Sequence, residues 1–169
     1  MTVPSTDGGG PDARQYDAIG ARSAAAVAAS ASNAEYERPA TIALLGDVAG
    51  RHVLDVGCAP GLLSAWLVER GAIVTAFDAS VVMAEQAKQA VADRARVFVA
   101  ELGAPLPLAA DRHFDLMVAS LVLHYVEDRV SVFGEFRRVL APGGAVVFST
   151  HHPAWTGRTP RRTTSRSRR

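Results

Sequence analysis

From Arg51 to Thr150 the chain alternates short apolar runs, rich in β-branched residues, with stretches whose apolar residues recur at helical spacing. Few folds accommodate that alternation. Residues 52–56, 73–77, 96–100, 114–120 and 145–150 read as five strands. Between them, 62–70 carries Leu63, Trp66 and Leu67 on one helical face, and Gly71 is a stop signal. Ser80 is suited to cap a helix running to about Ala92. Residues 127–140 place Val132, Phe133, Phe136, Val139 and Leu140 on one face, with Pro142, Gly143 and Gly144 as the break. Upstream, the alanine-rich 13–32 favours helix, and a second helix is expected over 39–46 with Pro39 in its first turn. Strands alternating with helices at this spacing build βαβ units, so the expected class is α/β, a doubly wound parallel sheet. The run at 114–120 is apolar nearly throughout, as a strand covered on both faces must be.

One domain suits 169 residues, and a composition of 49% hydrophobic and 21% charged residues is that of an ordinary globular chain. No apolar run reaches a membrane span, and the start MTVPSTDGGGP lacks the features of a signal peptide, so a cytoplasmic location is expected. Residues 1–12 read as disordered, 13–156 as the domain, and 157–169 as a basic disordered tail. That tail holds six arginines and no acid; the rest has 12 basic and 17 acidic side chains. A mildly acidic body gives no electrostatic footprint for nucleic acid, although the tail alone suits phosphate contacts. The single cysteine, Cys58, excludes an internal disulfide and reads as a small residue in a tight turn.

The most informative segment is VLDVGCAPG at 53–61, a buried strand running through small residues directly into a helix. Gly57, Ala59 and Gly61 let backbone approach a ligand closely, and the helix behind them presents free N–H groups. A ligand there lies at the carboxyl ends of the strands, where open α/β sheets bind. Asp78 ends the second strand, 21 residues after Gly57, where a carboxylate can accept both hydroxyls of a ribose. Its structural alternative is helix capping shared with Ser80. Glu101 and Leu102 follow the third strand; the alternative for Glu101 is an exposed loop acid. A dinucleotide cofactor competes for the same turn, but its fingerprint needs glycine where Leu62 stands. Asp55 also suits a cationic ligand better than a pyrophosphate.

Taken together, these segments resemble a known family. VLDVGCAPG resembles motif I of class I S-adenosylmethionine-dependent methyltransferases, VTAFDAS at 74–80 motif II, and FDLMVASLVLHYVED at 114–128 motif IV. FRRVLAPGGAVVFSTHHP at 136–153 resembles the helix, glycine turn and fifth strand that follow. The nearest resemblance is to small-molecule methylases of the ubiquinone and menaquinone group. It implies a Rossmann-like sheet in the order 3-2-1-4-5, with S-adenosylmethionine as cofactor and a small molecule as methyl acceptor. It places Gly57, Cys58, Ala59 and Gly61 along the methionine part, with Asp55 near the amino group. Asp78 takes the ribose; Ala79, Met83 and Leu102 flank the adenine, and Glu101 takes its amine. Ser120 and Leu121 border cofactor and acceptor. Tyr36, Arg38 and Tyr16 fall in a cofactor-lid segment.

Two departures stand out. Ala59 replaces a glycine usual in motif I, and a methyl there is tolerated where φ stays negative. The family sheet has seven strands, whereas no apolar period follows Trp155. The sixth and seventh strands are therefore expected to be lacking, the fifth left as a bare edge, and the chain read as a truncated or frameshifted copy. For acceptors that must lose a proton, His124 is the first candidate base and His152 the second, with Tyr125 and His151 on the same side by topology. No metal is expected, because adjacent histidines on an extended segment point opposite ways. The leading function is methyl transfer to a small molecule. The alternatives are an inactive cofactor-binding remnant, a nucleic-acid methyltransferase, for which the Asn/Asp-Pro-Pro-aromatic motif is missing, and a dehydrogenase.

Overall fold

The structure is a computed structural model that describes residues 32–107 and 113–151. The termini 1–12 and 157–169, Tyr16, His152 and nearly all of the helix expected over 13–32 lie outside the described residues.

Five strands form one sheet: β1 (His52–Val56), β2 (Ile73–Asp78), β3 (Ala95–Val99), β4 (Phe114–Ala119) and β5 (Leu140–Phe148). Their order is β3-β2-β1-β4-β5, with each neighbouring pair parallel. The helices are α1 (Arg38–Leu45), α2 (Leu62–Glu69), α3 (Val81–Val91) and α4 (Arg129–Val139). None is long and apolar enough to cross a membrane.

Alternation along each strand divides the core between the two faces of the sheet. Val53, Val74, Ala76, Leu116 and Val118 pack with Leu45, Leu63, Leu67 and Ala87 from the first three helices. Leu54, Val56, Phe77, Met117 and Ala119 pack with Val132, Phe136 and Val139 of α4 and with Leu106. Each fully buried Leu or Phe contributes about 1.5–3 kcal/mol of transfer free energy. Asp55 shares a face with Val53, so the one acid of β1 is directed under α2.

The connections follow from local chemistry. The Ser80 hydroxyl accepts the Met83 N–H at 3.2 Å and caps α3, as the sequence indicated. Asp128 caps α4 by accepting the Ser131 N–H at 3.1 Å, so that helix starts two residues later than expected. A π-helical turn over Ser32–Glu37 leads straight into α1. Pro39 has no N–H to offer, and the chain is widened just before it. The break after α4 also differs from expectation. Leu140 already pairs with Phe114, and Pro142, Gly143 and Gly144 form an excursion within β5 before pairing resumes at Leu116 and Ala145. Gly143, with φ of 81°, makes that excursion possible. Among the described residues β5 pairs only with β4.

Gly61 precedes α2 with φ of 81°, and a Cβ built on it would lie 2.7 Å from the Ala87 Cα in α3. The α2–α3 contact therefore requires glycine. Gly61→Ala is expected to destabilise the chain by about 2–4 kcal/mol, from left-handed strain plus overpacking. Urea unfolding checks this, and a loss under about 1 kcal/mol would mean the helices separate easily.

Candidate active site

The strand order reverses between β1 and β4, and the crevice at their carboxyl ends is where open α/β sheets take ligands. A cavity of about 540 Å³ opens there, within the range of small-molecule sites. Its floor is the turn after β1. Gly57 has φ of 68°, and a Cβ on it would meet the Val122 side chain at 2.7 Å. The Cys58 N–H donates to the Phe77 carbonyl at 2.9 Å, which anchors the turn to β2.

Asp78 fixes the rest of the turn. One carboxylate oxygen accepts the Ala59 N–H and the other the Ser80 N–H, each at 2.9 Å. The aspartate thus joins the loop after β1 to the loop after β2. Ala59 adopts φ of 48°, so the condition set for tolerating its methyl group, a negative φ, is not met. The left-handed conformation directs its N–H at Asp78, and the strain of about 1–2 kcal/mol is opposed by a hydrogen bond to a charged acceptor. Leu121, φ 50°, is a second left-handed residue in the cavity wall; the Ser149 carbonyl and hydroxyl accept its N–H.

Most residues singled out in the sequence line this cavity. Asp55, Gly57, Cys58, Ala59, Asp78 and Ala79 form one part of the wall. Met83, Glu101, Leu102, Ser120, Leu121 and His124 form another. Gly61 does not line it, contrary to expectation, because its open side is filled by Ala87. Of the lid residues, Arg38 lines the cavity, while Tyr36 is 73% exposed and does not. His152 lies outside the described residues, but its neighbour His151 is in the wall.

Three residues escaped the sequence reading. Ser64 of α2 is fully buried and donates its hydroxyl to Asp55 at 2.5 Å; its signal was a lone hydroxyl in an apolar helix. Glu37, the acid before the α1 proline, accepts hydroxyls from Thr41 and Ser120 at 2.9 and 2.6 Å. Ser149 is the third, donating to the same Glu37 oxygen.

The cavity's charge is strongly one-sided. Among the described residues, Glu37, Asp55, Asp78 and Glu101 line it against one guanidinium, that of Arg38. Burial pushes the Asp55 carboxyl up to about 6; the Ser64 hydroxyl opposes that shift and the Asp78 charge adds to it. The Cys58 thiol is also pushed up, first by burial and then by Asp55 and Asp78, which leaves it a protonated turn residue rather than a nucleophile. Also in the cavity wall, the His124 ring lies 4.0 Å from Tyr125 and 4.1 Å from His151, centroid to centroid. Both His124 ring nitrogens are buried with no partner among the described residues. Desolvation, then the His151 charge, lowers the His124 pKa, so its imidazole is neutral near pH 7.

Between its ordinary value of 3.8 and about 6, Asp55 holds a proton in the folded chain that the unfolded chain has released. Stability therefore falls as pH rises through that window, by about 3 kcal/mol at most. Asp55→Asn removes the effect. Urea unfolding should show the variant gaining on the wild type between about pH 4 and pH 7. A difference independent of pH would mean that Asp55 is ionised throughout.

Comparison with known proteins agrees with this geometry. A family model described as a methyltransferase domain matches residues 54–148. The malonyl-[acyl-carrier protein] O-methyltransferase of Pseudescherichia vulneris is 38% identical over 122 residues, covering 70% of this chain and 47% of that protein. The ubiquinone biosynthesis O-methyltransferase of Pseudomonas syringae pv. tomato is 36% identical over 110 residues, covering 62% and 46% respectively. The chain spans about half the length of the curated relatives it matches. The crystal structure of an S-adenosylmethionine-dependent methyltransferase from Mesorhizobium loti superposes with a TM-score of 0.65 at 40% identity, over 69% of this chain and 53% of that one. With more than half of its residues matched and the sheet order reproduced, the chain belongs to the methyltransferase domain family, in the class that uses S-adenosylmethionine.

Proposed function

We propose that this chain binds S-adenosylmethionine across the turn after β1 and transfers its methyl group to an oxygen of a small-molecule acceptor. The observation that carries the reading is the crevice at the β1–β4 switch point, where among the described residues four carboxylates meet one guanidinium. A pocket so charged favours a ligand with a sulfonium and an ammonium over one with a pyrophosphate.

The cofactor supplies the activated methyl, and the chain's residues have only to bind, orient and deprotonate. Asp78 receives the ribose hydroxyls on lone pairs left over from its two backbone bonds. Ala79, Met83 and Leu102 take the faces of the adenine, with Glu101 on its amine. Gly57, Cys58 and Ala59 run along the methionine part, and Arg38 meets its carboxylate. Asp55 is only 2% exposed and acts from beneath as a negative field. Ser120 and Leu121 separate this half of the cavity from the acceptor half, where Tyr125 and His151 flank His124.

His124 is the base in this reading. A neutral imidazole carries one donor and one acceptor nitrogen, and an acceptor hydroxyl answers an unpaired nitrogen while giving up its proton. The choice of oxygen is supported by the two relatives above, both named as O-methyltransferases.

Calorimetric titration tests the reading. S-adenosylhomocysteine should bind the wild type, NAD should not, and Asp78→Ala should weaken S-adenosylhomocysteine by at least about tenfold. His124→Ala should leave that binding intact and lower kcat by about 10²–10⁴ with a hydroxyl acceptor. A folded chain that binds NAD in place of S-adenosylhomocysteine would overturn the proposal.

A further inference from the structure

The contact for the cofactor's ammonium has no assigned residue, because Asp55, the acid placed near it by sequence, is buried beneath the turn with its carboxyl bonded to Ser64. We infer that Glu37 is the direct anchor of the ammonium in the ligand's amino-acid part. The inference rests on the cofactor reading above and deepens it.

Glu37 lies at the junction of the π-helical turn and α1, and its side chain reaches the carboxyl ends of both β4 and β5. Thr41, Ser120 and Ser149 all donate hydroxyls to the same oxygen, Oε1. Three donors from three elements hold a long, flexible side chain in one rotamer, an ordering that costs conformational entropy. A carboxylate offers about four lone-pair sites on two oxygens. Among the described residues none donates to Oε2, and no basic side chain pairs with Glu37. The result is an immobilised, half-buried carboxylate in the wall of the cavity, with one oxygen available to a ligand.

The other acids are less suited to direct contact. Asp78 has a backbone donor on each oxygen and serves the ribose end. Glu101 is exposed on the loop after β3, at the adenine end. Glu37 bonds Ser120, which borders the methionine half. Of the cofactor's two cationic groups, only the ammonium brings N–H donors that match a carboxylate oxygen in a charge-assisted bond. The sulfonium has none. Arg38, adjacent in sequence and also in the wall, supplies the opposite charge for the carboxylate of the same amino-acid group.

The test separates recognition of the amino-acid part from a purely structural role. Glu37→Gln keeps a carbonyl oxygen for the three hydroxyls and replaces the other oxygen by a donor. Binding is measured for S-adenosylhomocysteine and for 5′-methylthioadenosine, which shares the adenosine and thioether but lacks the amino-acid group. We expect the variant to lose at least about tenfold in affinity for the first and to stay within about twofold of wild type for the second. Ser149→Ala, which loosens the cluster but leaves the carboxylate, should weaken S-adenosylhomocysteine less than Glu37→Gln does. Equal losses for both ligands in Glu37→Gln would make the residue a structural clamp, and no loss for either would also overturn the inference. Wild-type chain that binds neither ligand would overturn the cofactor reading and this inference with it.

Discussion

The two hydrogen bonds accepted by Asp78 hold the site together. They join the turn after β1 to the start of α3, so the end of β2 sets the conformation of a loop that belongs to β1. Bonds to a charged acceptor contribute about 1.5–3 kcal/mol each, enough to hold Ala59 in a left-handed conformation that costs about 1–2 kcal/mol. The same carboxylate faces the cavity. One group therefore serves both the fold and the wall of the cavity, and on the proposed reading the geometry that would receive a ribose is already set by the two backbone bonds.

The second constraint is electrostatic. Four carboxylates around one crevice repel each other, and the fold tolerates them in different ways. Asp78 accepts a backbone donor on each oxygen, and Glu37 accepts three hydroxyls on one of its two. Asp55 is satisfied by Ser64 and by a raised affinity for its own proton. Glu101 remains in contact with solvent. A cationic ligand, as proposed, would relieve that repulsion. His124 stacks beside His151, where desolvation favours its neutral ring, the form that the proposed base role requires.

Much of this was legible in the sequence because it is written locally. β-branched runs marked the strands, Ser80 marked the start of α3, and the spacing of Gly57 and Asp78 brought both to one crevice. What sequence could not show depends on distant partners. Glu37 is unremarkable until Ser120 and Ser149, 83 and 112 residues away, arrive beside it. Gly61 looked like a ligand-facing glycine, yet its missing side chain makes room for Ala87. A negative φ was only a condition for tolerating Ala59, and sequence could not show that a bond to Asp78 accompanies the left-handed conformation the residue adopts. Pro142, Gly143 and Gly144 looked like the end of a helix, but pairing of Leu140 with Phe114 starts the strand before them. The comparisons with known proteins support the cofactor class that the motifs suggested.

On the proposed reading the ligand lies at the carboxyl ends of β1, β2 and β4, across the turn that Asp78 holds. Backbone amide spectra recorded while S-adenosylhomocysteine is titrated into the chain measure this directly. The account predicts that the shifted resonances cluster at Gly57, Cys58, Ala59, Ala79, Leu102 and Leu121, with Arg51, Gly71 and His113 at the opposite end of the sheet unmoved. Shifts concentrated at that opposite end, or none in a folded chain saturated with ligand, would contradict it.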